Sequence, residues 1–323
     1  MDTRTRLSNP LPPATRGNTR RREVEHANLS WLDIAQPTSA DVSYLRERFK
    51  FDSLLLEDVL STIQRPKLDI RSQEEYIFVV VHIPSLDRDN RVVRSEVNVF
   101  VGRDFVVTLH DSTLKPLRRL FAASATDEPA RAQLLGHGPG YLLYRIIDAL
   151  VKQCFPLMYR SEEEIDQLDV RLFEQNTHLM ARDLTDIQRD IIMLDYVISP
   201  NQPVIEAIQK LQDKFLRLDM SRYFGDCVDS IGRLKTMVDQ QQTVITVINE
   251  TYRNVLIQQT HQLLRKVVFA TIAIIPFVLL ASLVGLNVVL PFETQPLLFP
   301  GILLIVLALT LGILSYGYNR RWF

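Results

Sequence analysis

The residues of this 323-residue chain best placed to do chemistry lie in an apolar region near the C-terminus. From Val267 to Asn319 there are 53 residues and a single charge, Glu293. In the first apolar run, Val267 to Gly285, the only hydroxyl side chains are Thr271 and Ser282. Eleven residues is about three helical turns, so both lie on one face, shared with Ile275, Val278 and Gly285. A helix with one weakly polar stripe either lines a wet path or packs against another helix through hydroxyl hydrogen bonds. Neither apolar run holds an Asp, Glu, His or Lys. A path that strips a divalent ion bare at mid-membrane would want carboxylates there, so their absence favours an ion that keeps its water shell.

Other chemistries find little support. The six histidines (His26, His82, His110, His137, His178, His261) show no ligand spacing, and two distant cysteines, Cys154 and Cys227, make neither a disulfide scaffold nor a structural zinc site. Gly136-His137-Gly138-Pro139-Gly140 lacks the Lys-Ser/Thr of a phosphate loop and reads as a turn before a helix. Glu162, Glu163 and Glu164 with Asp166 and Asp169 read as a solvated acidic face. No nucleophile elbow or catalytic constellation stands out, and no enzyme is expected.

The elements around these residues follow from charge and periodicity. The chain has 37 basic and 38 acidic side chains and a mean hydropathy near zero, an average over two populations. Two spans are expected, at residues 267–285 and 297–318, each near the 20 residues that a bilayer core requires. The loop 286–296 between them holds Asn287, Pro291, Glu293 and Pro296 and no Lys or Arg. Arg265 and Lys266 precede the first span; Arg320 and Arg321 follow the second, in the basic end 319–323. The positive-inside rule places both termini in the cytoplasm. Upstream, Ile231, Leu234, Val238, Ile245, Ile248, Tyr252 and Val255 recur at coiled-coil spacing, so residues 211–266 are expected as a stalk helix continuing into the first span. Gln240, Gln241 and Gln242 interleave with it, as suits either a bundle around a wet axis or a solvated face.

Residues 27–210 read as an α/β/α domain. Helices are expected at 40–50, 53–61, 114–123, 141–175 and 181–197, and strands at 76–83, 96–101 and 104–110, the last two joined by a tight hairpin at Gly102-Arg103-Asp104. Residues 1–26, with six arginines and one acid in the first 22, read as a disordered basic tail without the apolar core of a secretory signal. Residues 23–264 carry 27 basic and 36 acidic side chains, which argues against a nucleic-acid partner and suits cations.

Gly285-Leu286-Asn287 ends the first span, Pro291 and Glu293 follow, and Asn319-Arg320-Arg321-Trp322-Phe323 ends the chain. In that position these residues resemble the CorA family of divalent-cation transporters, whose signature there is Gly-Met-Asn. Trp31-Leu32-Asp33, Leu56-Glu57-Asp58-Val59-Leu60 with Gln64-Arg65-Pro66-Lys67, Glu96–Thr108 and Tyr223-Phe224-Gly225-Asp226 resemble further stretches of that family, so the likeness spans residues 28–323. Leu286 replaces the family's Met, and a zinc-transporting branch carries Gly-Ile-Asn. That branch's diglycine is absent from Val288–Leu290, which favours magnesium or cobalt over zinc.

The resemblance implies a homopentameric funnel in a bacterial-type inner membrane, bound to no cofactor beyond the transported and regulatory divalent cation. Gly285, Leu286, Asn287 and Glu293 would form the selectivity mouth. Leu264, Val267, Thr271, Ile275, Val278 and Ser282 would line and gate the pore, with Val278 standing where many members have Thr. Asp226 and Asp229, with Asp87 or Asp89 of the next chain, would hold a regulatory metal. Arg320 and Arg321 would form an inner basic ring. Two other readings are a zinc transporter of the same family and a membrane-anchored metal sensor or scaffold that conducts nothing.

Overall fold

The computed structural model describes residues 21–61, 64–111, 114–171, 177–212, 216, 219–285 and 298–319. The chain divides into two compact units between Thr246 and Val247.

The first unit is built on a six-stranded sheet: β1 (Arg21–His26), β2 (Leu29–Ala35), β3 (Lys67–Arg71), β4 (Tyr76–Leu86), β5 (Val92–Gly102) and β6 (Phe105–His110). Their spatial order is β1-β2-β6-β5-β4-β3. All neighbours are antiparallel except β2 and β6, which run parallel with Leu32 beside Val107. In β4, Tyr76, Phe78 and Val80 face one core and Ile77, Val79 and Val81 the other, the two-residue alternation of a strand covered on both faces.

The first core is closed by α1 (Ser39–Phe49) and α2 (Ser53–Leu60) through Leu45, Leu55 and Leu56. The second is closed by α3 (Lys115–Thr126), α4 (Glu128–Leu135), α5 (Pro139–Arg171), α6 (Thr177–Ile198), α7 (Gln202–Gln209) and the first half of α8 (Met220–Gly285). The three layers are α/β/α, as the pattern predicted. Some helix boundaries have a plain local cause. Thr38 and Asp41 form a capping box on α1, and Lys50, in the left-handed region, ends it. Gly138 (φ 93°) makes the turn into α5.

The edge of β4 beyond β3 is sealed by a side chain. Asn201 Oδ1 accepts the His82 N–H at 2.9 Å, and Asn201 Nδ2 donates to the carbonyls of His82 and Val197 at 2.7 Å. This satisfies both backbone groups of a residue that has no strand on its outer side, and Pro84 removes a further free donor.

Two boundaries differ from the sequence expectation. The basic tail does not extend to residue 26: Arg21 to His26 form the edge strand β1, because Arg21 and Arg22 find buried carboxylates in Asp41 and Asp33. The long helix does not begin at 211. It starts at Met220, where Asp219 Oδ1 accepts the Arg222 N–H at 3.4 Å. The strands β2 and β3 and the short helices α4 and α7 are additions to the predicted set.

In the second unit α8 runs on to Gly285 with Pro276 inside it, and α9 (Leu298–Asn319) follows. Among the described residues α8 is the one helix long and apolar enough to cross a membrane, and 6% of its apolar window is buried. The apolar run described within α9 is shorter, Leu303–Gly312.

Candidate functional site

The stripe on α8 can be followed from Leu264 to Gly285. At 100° per residue, Leu264, Val267, Thr271, Ile275, Val278, Ser282 and Gly285 fall within a sector of about 80°. All those with described side chains are exposed in the single chain: Leu264 54%, Val267 62%, Ile275 48% and Val278 58%, with Thr271 and Ser282 likewise exposed. The opposite face is the covered one, with Phe269 buried and Ala273 and Pro276 half-buried. The Thr271 hydroxyl donates to the Val267 carbonyl at 2.9 Å. Its proton is therefore held by the helix, and its oxygen faces outward as an acceptor. The helix ends at Gly285. Leu286, Asn287, Glu293, Arg320 and Arg321 lie outside the described residues.

The acids expected at the stalk top sit in a groove of about 1130 Å³ between α5 and α8. Asp226 and Asp229 line it together with Asp148, Lys152, Tyr144 and Gln202. Lys152 donates to Asp148 at 2.8 Å, and that hydrogen bond raises its pKa. Asp87 and Asp89 occupy the β4–β5 turn. Asp87 Oδ1 accepts the N–H groups of Asp89 and Arg91, both at 2.9 Å, so one of its oxygens is committed to shaping the turn. Asp89 lines a second cleft, of about 280 Å³, with Arg91, Arg160, Arg171, Asp183 and Asp190. Burial there pushes the Asp190 carboxyl up. One chain therefore places Asp226 and Asp229 in one cleft and Asp89 in another, with Asp87 in the turn beside the second. No cluster of three or more His, Cys, Asp or Glu among the described residues could hold a metal ion.

The seam of α8 contains a residue that apolar periodicity skipped. Between Val238 and Ile245 the heptad position is filled by Gln241, 6% exposed. Its Nε2 donates to the Met158 carbonyl of α5 at 2.9 Å, while Oε1 is buried without a partner. Gln240 is exposed, so the glutamine run is neither wholly seam nor wholly surface. The gap of seven in the apolar spacing, bisected by Gln241, is the signal that marked it. Burial pushes the thiols of Cys154 and Cys227 up to about 12, which leaves neither as a thiolate at neutral pH.

Residues 26–318 match the family model described as CorA-like Mg2+ transporter protein. The chain is 26% identical over 311 residues to YfjQ of Bacillus subtilis, covering 93% of this chain and 92% of that protein. It is 22% identical over 303 residues to the cobalt/magnesium transport protein CorA of Thermotoga maritima, covering 91% and 83%. Its fold matches the complete structure of the CorA magnesium transporter from Methanocaldococcus jannaschii with a TM-score of 0.80, at 15% identity and 93% coverage of both chains.

Proposed function

The chain belongs to the CorA-like Mg2+ transporter family, and from that premise we propose that it carries hydrated divalent cations, Mg2+ or Co2+, across a bacterial inner membrane with both termini in the cytoplasm. The observation that carries this reading is the exposed stripe Leu264–Ser282 leading into Gly285-Leu286-Asn287.

Two apolar helices cannot enclose a hydrated ion, so several copies must share the path. Five copies, each contributing the α8 stripe, make a pore whose only polar lining is Thr271 and Ser282. Rings of Leu264, Val267 and Ile275 close it by excluding water. At the outer mouth, the carbonyl of Gly285 and the amide oxygen of Asn287 accept hydrogen bonds from the ion's own water shell. This suits Mg2+, which gives up water reluctantly, and asks for no carboxylate inside the bilayer. Glu293, repeated around the mouth, raises the local cation concentration. Arg320 and Arg321 ring the inner end and fix its orientation.

Control rests on the acids. Asp226 and Asp229 of one chain, joined to Asp87 or Asp89 of the next, hold a divalent ion that bridges subunits and keeps the pore shut. Loss of the ion restores acid–acid repulsion and opens it. The separation of Asp226 and Asp229 from Asp89 within one chain supports a bridge of this kind, since no group of three or more ligands forms among the described residues of one chain.

The test is influx into proteoliposomes, read with Mg2+-, Co2+- and Zn2+-sensitive dyes in parallel, for wild type and Asn287→Ala. Mg2+ or Co2+ influx lost in the variant is the expected result. Zn2+ influx alone would move the chain to a zinc branch. No flux of any ion from intact pentamers, with metal low on both sides, would leave a membrane-anchored sensor as the better reading.

A further inference from the structure

The turn between β4 and β5 presents a cation whose partner is not its neighbour in the ladder. The register of that hairpin pairs Leu86 with Val92, so Arg91 stands opposite Asp87, whose N–H donates to the Arg91 carbonyl at 3.0 Å. Opposite residues of an antiparallel pair have Cβ atoms about 4.5–5.5 Å apart, and opposite charges there attract. The hairpin by itself would therefore give Arg91 to Asp87. Its guanidinium instead pairs with Asp186 on α6. Asp190, one helical turn further along α6 and 8% exposed, lines the same cleft and accepts the Val92 N–H.

The surroundings hold this arrangement in place. Asn90, in the left-handed region at φ 59°, makes the corner of the turn, and Arg160 on α5 donates to its carbonyl at 3.2 Å. Arg160 itself pairs with Glu164 at 2.8 Å. The hydrogen bond to Asp186 leads the influences that raise the Arg91 pKa, ahead of the charges of Asp186, Asp190 and Asp87. Asp87 Oδ1 already takes the Asp89 and Arg91 N–H groups, so Oδ2 is the oxygen for which Arg91 and a metal ion would compete.

We propose that α6 keeps the acids of this turn available to metal: Asp186 holds Arg91 away from Asp87 and Asp89, and without it Arg91 folds back across the hairpin and occupies them. The inference rests on the regulatory role given above to Asp87 and Asp89. Asp186 is then a positioning residue, which acts through Arg91 and touches no metal itself. Arg88, between the two acids, is exposed and unchanged in every variant below.

The size of the effect follows from Coulomb's law. A unit positive charge brought to within about 6 Å of a divalent ion, in water-like surroundings, weakens its binding about tenfold. Loss of the Asp186 charge also weakens binding by itself, so the two causes must be separated. If Asp186 restrains Arg91, then Arg91 matters only when Asp186 is gone. If charge alone counts, Arg91 matters equally in both backgrounds.

The test is a double-mutant cycle on the full-length chain in detergent. The readout is the Mg2+ concentration that half-protects the chain from chymotrypsin, which cuts at neither substituted residue. Thermal midpoints without metal establish that each variant is folded. Arg91→Gln should shift the half-protecting concentration by less than about twofold in wild type and lower it about tenfold in Asp186→Asn. Equal shifts in the two backgrounds would overturn the inference, as would an Asp186→Asn indistinguishable from wild type. Asp226→Asn tests the regulatory reading separately and should lose protection by Mg2+. Protection kept in Asp226→Asn, or absent from wild type, would remove that reading and this inference with it.

Discussion

The two halves of α8 use the same kind of side chain against different surroundings. Its seam residues Ile231, Leu234, Val238 and Ile245 are buried, the first three in the chain's own core, with Leu234 and Val238 wholly inaccessible. From Leu263 to Leu279 residues just as apolar stand open: Leu263, Leu264, Val267, Val268, Ile274, Ile275, Val278 and Leu279 are each about half exposed or more. In the first half polar residues occupy the faces away from the seam and the core supplies the solvent for the rest. From Val267 to Gly285 charge is absent on every face, as it must be where hydrocarbon is the outer solvent. Hydrophobicity alone does not separate the halves. What separates them is whether charge accompanies it.

The contrast can be broken by equal truncations. Leu234→Ala removes a fully buried side chain and should lower the stability of the detergent-solubilised chain by about 2–5 kcal/mol, read as a fall in its thermal midpoint. Leu264→Ala removes the same atoms from an exposed position and should cost under about 1 kcal/mol, while altering flux. Equal losses at the two positions would contradict the division. A finer probe is Gln241→Leu. The glutamine occupies a core position with its Oε1 unpartnered, so an apolar replacement should leave the midpoint unchanged or raise it by the equivalent of about 1 kcal/mol. A clear fall would show that the bond to the Met158 carbonyl contributes more than the orphaned oxygen costs.

Much of this architecture was legible in the chain. The α/β/α layers follow from β-branched alternation beside helical periodicity, and the long helix follows from the absence of proline between Ser221 and Pro276. The strand β1 was hidden because arginines are ambiguous in sequence: a solvated tail and a strand bound to distant buried acids share that composition. Only the fold brings Asp33 and Asp41 to Arg22 and Arg21. The pairing of Asp33 with His110 was invisible for the same reason, since 77 residues separate them and parallel β2–β6 pairing joins them. Of the candidate site, the stripe was readable from helical geometry. The separation of Asp226 and Asp229 from Asp87 and Asp89 was not, because it depends on how α5 and α8 pack.

The central claim is that the exposed face of the apolar half of α8 meets water carrying the ion. The most direct test is to place single cysteines at Thr271, Ser282 and, on the covered face, Ala273. The native Cys154 and Cys227, each 1% exposed, are shielded from reagent. A positively charged methanethiosulfonate would then be applied during divalent-cation flux in proteoliposomes. Block at Thr271→Cys and Ser282→Cys, with Ala273→Cys unaffected, is the expected result. Block at Ala273→Cys alone, or modification of Thr271→Cys and Ser282→Cys without any change in flux, would contradict it.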